Sequence, residues 1–461
     1  MAVNGEVSFW YAAGGVPVPG PPLPGSADVD VCIVGGGYTG LWTAYYLKKA
    51  EPSLRIALLE RRFCGYGASG RNGGWLYNGF AGRGAFAKRY GWHPAAAMQR
   101  AMDEAVGEVV DAAAAEGIDA DIVRGGVLEV ARNKAQLERL RAFAEAEQAY
   151  GPGRVELLSA KEAADRIAVA GVLGGTWTPY GARIQPARLV SGLARVVRDL
   201  GVAVYEGTAV TAILPGTAYG RARAVTPHGT VTADHVLRAT EGFTAGLRGE
   251  RRTWLPMNSA MIATEPLPAA FWADAGWQGR EVLGDFAHAY MYAQRTADDR
   301  IALGGRGVPY RFGSRTDSDG GTQVETVRQL RGILNRFFPA AAQARIDHAW
   351  AGVLGVPRDW CATVELDRAS GLGWAGGYVG SGVTTTNLAG RTLRDLVLGR
   401  DTELTRLPWV GHTVRRWEPE PLRWIGVHAM YAAYHAADRQ EAAGRSTTSP
   451  IARVADVVSG R

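Results

Sequence analysis

The sequence predicts an α/β chain: a parallel-sheet domain of β-α-β type, interrupted by an α+β domain whose sheet is mainly antiparallel. Three observations predict it. The apolar run Val31–Val34 leads directly into Gly35-x-Gly37-x-x-Gly40 and a helix-like stretch that begins at Tyr38. A second glycine-dense turn, Gly376 to Thr384, leads from strand to helix more than 300 residues later. Between them, residues 256–310 read as strands of a mainly antiparallel sheet.

In chain order, residues 13–27 form a Pro/Gly-rich lead-in, expected as an extended surface arm. The strand at 31–34 and the helix from 38 follow. A second strand, Arg55–Leu59, then ends at Glu60, twenty residues after Gly40. Residues 94–116 and 133–149 alternate apolar and charged residues at helical spacing, and Ala120–Ala131 between them reads as strand. Gln185-Pro186 opens a helix over 187–200, since proline suits a first helical turn. Short strands are expected at 202–206, 209–214, 222–226 and 230–238. After the 256–310 sheet come a helix at 322–337, a strand at 371–377, and a helix at 382–398 with Leu388, Leu393, Leu396 and Val397 on one face. The expected division is a discontinuous first domain (1–88, 160–244 and 350–405), a second domain (89–159 and 245–349), and a C-terminal extension (406–461).

At 461 residues and 47% hydrophobic content, the chain can bury sizeable cores, and no apolar run is long enough to cross a membrane. The net charge of +6 is scattered, with no basic run, so a nucleic-acid surface is not expected. The first residues show no secretory pattern, and three cysteines form no disulfide framework; a bacterial cytoplasmic location is expected. All five lysines lie at or before Lys161, which excludes a lysine Schiff base from the C-terminal two-thirds. Neither His-Glu-x-x-His nor Cys-x-x-Cys occurs, so no metal site is expected.

The first glycine triplet carries a chemistry. Gly35 permits the tight turn, Gly37 lets backbone approach a pyrophosphate, and Gly40 lets helix pack on strand. The helix start at Tyr38 and Thr39 offers free N–H groups to phosphates, and Glu60 is placed to accept from a ribose. This is the order of a Rossmann-like dinucleotide-binding unit. The late turn adds a second positive helix end, which a flavin enzyme can use at the ring to stabilise the reduced, anionic form.

Four stretches together resemble the D-amino-acid-oxidase-type FAD oxidoreductase family: Val31–Glu60, Gly67–Gly74, Ala239–Phe243 and Gly376–Gly399. The segment Gly67-Ala-Ser-Gly-Arg-Asn-Gly-Gly74 is especially similar to the gamma-glutamylputrescine oxidase branch, and the chain as a whole resembles the gamma-glutamylputrescine oxidase and glycine oxidase branch. The resemblance implies FAD, a Rossmann-like domain, and an antiparallel sheet roofing the flavin. It implies that Gly35, Gly37 and Gly40 hold the pyrophosphate and Glu60 the ribose, with Arg61 beside the adenosine. Ala68, Ser69, Asn72, Gly73 and Gly74 would approach the pyrophosphate or ring, Val210 would meet adenine, and Gly380, Gly382, Val383 and Thr384 would line the pyrimidine side.

Departures from the family pattern narrow the expectation. Members that act on α-amino acids place an arginine after a Trp-Ala-Gly-like segment; here Trp350-Ala-Gly-Val353 runs on to Leu354, with Arg358 four residues further. The oxygen-assisting lysine of sarcosine-oxidase-like members has no counterpart in Arg300–Gly305. Asn72 stands where another branch attaches flavin to histidine, and Cys361 does not align with the attaching cysteine, so FAD is expected to be non-covalent.

A strand over 287–295 would put His288, Tyr290, Tyr292 and Gln294 on one face. That aromatic wall is the candidate catalytic surface, with Arg306 in Gly304-Gly-Arg-Gly307 a further polar candidate; an apolar wall favours a neutral, reactive amine. The expected activity is FAD-dependent oxidation of an amine C–N bond, with oxygen or another acceptor reoxidising the flavin. The alternatives are oxidation of a 2-hydroxy acid or amino acid, a tailoring oxidation, or a flavoprotein subunit serving a partner. Residues 411–443 carry the apolar face such a partner would need, though packing on their own chain is the simpler expectation.

Overall fold

The computed structural model describes residues 4–305, 310–316 and 319–459. Two large sheets organise it. In the first, Thr363–Asp367, Leu372–Gly376, Gly229–Arg238, Ala27–Val34, Ile56–Leu59 and Ala203–Tyr205 lie side by side in that order. All neighbours from Leu372–Gly376 onward run parallel. Strand Thr363–Asp367 closes one edge antiparallel, and a short antiparallel branch (Ala222–Thr226, Ala212–Leu214) hangs from Gly229–Arg238. The parallel strands are buried on both faces, which is why Val31–Val34 and Ile56–Leu59 are apolar at every position.

Helix Tyr38–Ala50 and helix Gly382–Val397 pack against each other below this sheet, burying Trp42, Leu47, Leu388 and Leu393. Gly390 makes their close crossing possible: a Cβ there would lie 2.8 Å from Trp42 backbone.

The second sheet has the order Ile346–Val356, Leu255–Thr264, Ile301–Gly305, Tyr292–Arg295, Val282–Asp285, Val127–Ala131, Gly174–Thr178, Glu156–Ser159. Every pairing in it is antiparallel except Val282–Asp285 with Val127–Ala131. Helix Val324–Phe337 covers its outer face through Leu330, Leu334 and Phe337. Sheet membership runs across the expected boundaries. Gly174–Thr178, within 160–244, pairs in the second sheet, and Ile346–Val356 continues that sheet past residue 350.

Three local expectations are corrected. The strand at 120–131 begins only at Val127, because Asp121 (φ 50°) and Gly126 (φ 81°) break the extended run. The strand at 287–295 begins only at Tyr292, because Asp438 accepts the N–H groups of His288 and Ala289 while Asp285 accepts that of Met291, which holds the segment as a turn. Residues 256–310 also contain a helix, Ala269–Ala275, whose Phe271 and Trp272 enter the second sheet's core.

The lead-in is tied down: Leu23 is buried and its N–H donates to Thr208 Oγ1 at 3.0 Å. In the C-terminal segment, Trp417, Val427 and Tyr431 pack on Leu255, Met257, Tyr310 and Val356 of the same chain. Among the described residues no helix is long and apolar enough to cross a membrane.

Candidate active site

The two glycine turns meet at one cleft. Of the residues expected to hold a cofactor, Gly35, Gly37, Tyr38, Thr39, Glu60, Arg61, Ala68, Ser69, Asn72, Val210, Gly380, Gly382 and Val383 line it. Gly35 sits at φ 114°, and a Cβ there would lie 2.5 Å from Ala239 O. Only glycine fits that turn. A Cβ on Gly40 would lie 2.0 Å from Gly35 O, so Gly40 serves helix-on-strand packing and does not line the cleft.

Glu60 accepts the N–H groups of Gly36 (2.8 Å) and Arg62 (2.9 Å), which fixes its carboxylate at the strand end. Burial pushes that carboxyl above its usual range, against the pull of those two N–H groups. Arg61 lies over the Phe243 ring, and Ser69 Oγ accepts the Tyr38 N–H at 2.8 Å. Asn72 shapes its own loop: its amide donates to Ser69 O and its Oδ1 accepts from Gly74 N–H, both at 2.8 Å. A narrow glycine cradle ends at a helix start and an acid closes the next strand, so the residues fit a dinucleotide.

Glu241 was unforeseen as a site residue. Its carboxylate accepts the N–H groups of Gly377 (2.9 Å) and Tyr378 (3.1 Å) and so clamps the late glycine turn. Burial pushes it up to about 7. It lies in the quoted stretch Ala239–Phe243, but nothing local to that stretch points to residue 377.

A second cavity adjoins the cleft, with Ala68, Asn72, Leu354, Gly380 and Val383 shared between the two. Its walls are Trp75, Tyr77, Tyr290 and Tyr292. Gly73 lines this cavity, and a Cβ on it would lie 2.8 Å from the Tyr292 ring. The Tyr292 and Ser259 hydroxyls lie 2.9 Å apart. Gln294 is buried and donates to Gly73 O at 2.8 Å, setting the same loop from below. Gly74 packs against Gln294, and Thr384 accepts the Tyr77 N–H at 3.0 Å; neither lines the cleft or the cavity.

His288 lines the cavity from its turn, with Nε2 bonded to Glu441 at 2.9 Å. Arg358 is committed elsewhere, to Glu418 and the carbonyl of Ser459, and does not stand in for the missing arginine. Arg306 lies outside the described residues. Among the described residues two clusters have metal-ligating residue types, His288/Asp438/Glu441 and Asp359/Cys361/His412. In the second, His412 bonds Asp359 at 2.7 Å and Tyr90 at 2.9 Å.

Arg71 was missed although it stands inside the quoted glycine motif. It is buried, lies over the Tyr66 ring, and lines the cavity. Its Nη1 reaches only Ala351 O at 3.4 Å, and its Nε and Nη2 have no hydrogen-bond partner among the described residues.

The fold and cleft define a dinucleotide-dependent redox protein, and comparison with known proteins specifies it. Residues 30–396 match the family described as FAD dependent oxidoreductase. The chain belongs to that family; it is an FAD-dependent oxidoreductase. It is 33% identical to gamma-glutamylputrescine oxidoreductase of Escherichia coli (strain K12), over 85% of this chain and 89% of that one. It is 25% identical to glycine oxidase of Bacillus licheniformis, over 80% and 93%. The fold is shared with the crystal structure of glycine oxidase from Geobacillus kaustophilus (TM-score 0.69, 21% identity, 84% of this chain and all of that one).

Proposed function

We propose that the chain oxidises a C–N bond of an amine. The carbon beside nitrogen loses hydride, the iminium formed sheds a proton to water, and water can split the resulting imine to aldehyde and amine. FAD, when bound, supplies the two-electron acceptor and passes the electrons to oxygen or another acceptor.

The observation that carries this reading is the lining of the second cavity. Trp75, Tyr77, Tyr290 and Tyr292 wall it, and Leu354 stands where an amino-acid oxidase would hold a carboxylate with arginine. Such a wall orients an alkyl amine and disfavours its charged form, which keeps the nitrogen lone pair available. The likeness to gamma-glutamylputrescine oxidoreductase supports the same class of reaction.

The parallel sheet is taken as the FAD domain and the antiparallel one as the substrate domain. Gly35, Gly37 and the first turn of helix Tyr38–Ala50 would hold the pyrophosphate, Glu60 the ribose, and Arg61 and Val210 the adenine. Asn72, Gly73, Gly380, Gly382 and Val383 would surround the ring. The cofactor is held without a covalent link: no cysteine lines either space among the described residues, and the lining histidine, His288, is bonded to Glu441. Tyr290 and Tyr292 orient substrate, while Gln294 and His288 position the loops beside it.

Arg71 favours a second reading. A buried guanidinium with two unbonded nitrogens suits the carboxylate of an amino acid or 2-hydroxy acid.

The test is anaerobic absorbance titration of the purified flavoprotein with amines, amino acids and hydroxy acids, followed by air. Bleaching by alkyl amines is expected; bleaching only by carboxylate-bearing substrates would select the second reading.

A further inference from the structure

We propose that Glu129 receives a second, distal ammonium group of the substrate, so that the cavity takes α,ω-diamines and other amines with a cationic far end. This deepens the amine reading and rests on it.

Register places the residue. Glu129 pairs with Gly284, Gly284 with Tyr292, and Tyr292 with Gly304, across four adjacent strands. Paired residues share a face of the sheet, and Glu129, Gly284 and Tyr292 all line the cavity. Strands lie about 4.8 Å apart, so Glu129 stands roughly 10 Å across the cavity floor from Tyr292. Tyr292 is the end of that row which touches Gly73.

Between them Gly284 presents no side chain. A Cβ there would lie 3.1 Å from Trp75 Cη2 and 3.6 Å from Glu129 Oε1. The floor is therefore a trough, walled by Trp75, with an aromatic end at Tyr292 and an acidic end at Glu129.

Among the carboxylates around the trough Glu129 is the open one, while Arg71, the unpaired cation of the same lining, lies over the Tyr66 ring. Arg139 is neutralised by Glu441, with contacts of 2.8 and 3.0 Å. Asp285 accepts from Met291 N–H, and Asp456 from the Tyr434 hydroxyl. Glu129 has no ion pair or hydrogen bond among the described residues. Glu129 is half-buried, a carboxylate partly withdrawn from water costs free energy unless a cation pairs with it, and nothing else in strand Val127–Ala131 is charged. Burial pushes Glu129 up to about 7, with the charges of Asp285 and Glu147 adding to it. An arriving ammonium would draw the ionised form out.

The experiment uses holoenzyme, wild type and the variants Glu129→Gln and Glu129→Lys, with flavin absorbance as the check on folding. Dithionite-reduced enzyme, which cannot turn amines over, is titrated with 1,4-diaminobutane and 1-aminobutane, and dissociation constants are read from tryptophan fluorescence. Anaerobic flavin reduction by the same amines is measured in parallel.

Wild type is expected to bind the diamine about 10- to 100-fold more tightly than the monoamine. Glu129→Gln brings that ratio close to one. Glu129→Lys turns the preference toward 4-aminobutanoate. A diamine-to-monoamine ratio near one in wild type, or an equal ratio in wild type and Glu129→Gln, overturns the subsite while leaving amine oxidation standing. Glu129-dependent binding of the diamine without flavin reduction by any amine supports the subsite and overturns the oxidation reading.

Discussion

The hydroxyls of Thr39 and Tyr378 lie 3.0 Å apart in the core, between two turns more than 300 residues apart in sequence. Thr39 belongs to the first turn of helix Tyr38–Ala50, and Tyr378 to the glycine turn before helix Gly382–Val397. The bond therefore sets the relative position of the two backbone cradles that face the cleft. Tyr378→Phe should cost about 1 kcal/mol of stability, the net worth of one buried hydrogen bond. It should also weaken FAD retention several-fold, which denaturant unfolding and dialysis against flavin-free buffer would check. Lost stability with unchanged flavin affinity would show that the bond does not tune the cleft.

Gly35→Ala is expected to yield protein without flavin absorbance. The strained φ of 114° and the 2.5 Å approach to Ala239 O leave no room for a methyl group. Gly37→Ala is milder, because its nearest neighbour is the Ser69 hydroxyl at 2.9 Å, a side-chain tip that can shift at the cost of its bond from the Tyr38 N–H. Expression of both variants and the ratio of flavin to protein absorbance would rank them. Equal flavin content in the two would contradict the ranking.

This glycine logic was legible in the sequence because it is local: strand, turn, helix and acid follow within thirty residues, and each glycine has a steric reason. The second turn was legible for the same reason. The cavity was only half legible. Tyr290, Tyr292 and His288 do line it, yet they reach it from a turn and a short strand, because Asp438 and Asp285 take the N–H groups that a longer strand would have used. Asp438 lies 150 residues away from His288, and no periodicity reports such a bond. Arg71, Glu241 and Glu129 escaped for a related reason. Each is a lone charged residue whose environment exists only after distant elements pack, although a single glutamate within Val127-Leu-Glu-Val-Ala131 was a visible irregularity.

Glu129 and Glu241 provide opposite tests of one electrostatic argument. Burial raises both carboxyls from 4.5 to about 7. Between those values the folded protein keeps a proton that the unfolded chain has released, so stability is full below pH 4.5 and is lost as pH rises through 7. Glutamine cannot ionise. Glu129→Gln should therefore melt higher than wild type at pH 8 and level with it near pH 4.5. Glu241→Gln should melt lower at both, because its amide would turn a donor toward the N–H of Gly377 or Tyr378, which its carboxylate now accepts. Thermal melts of the three proteins at the two pH values decide it; a Glu129→Gln protein less stable at pH 8 would refute the account.

The last prediction concerns how the C-terminal helix governs the cavity. Glu441, on helix Leu422–Ala442, is fully buried and accepts from Arg139, His288 and the Ser449 N–H at 2.8 to 3.0 Å. Arg139 in turn donates to Phe286 O at 2.7 Å, and Asp438 of the same helix holds the N–H groups of His288 and Ala289. The turn that carries Tyr290 into the cavity thus hangs from one helix by two carboxylates, Glu441 and Asp438. Glu441→Ala leaves Arg139 without its anion and should cost about 3 kcal/mol, as expected when one partner of a buried pair is removed. If the network positions Tyr290, the variant should also raise KM for amines while the limiting rate of flavin reduction at saturating amine changes far less. His288→Asn should reproduce part of the KM effect at a smaller cost in stability, because Asp438 still holds the backbone of the turn. Steady-state and stopped-flow measurements on the two variants separate these effects; a fall in the limiting rate with KM unchanged would place His288 in the chemistry itself and not in its support.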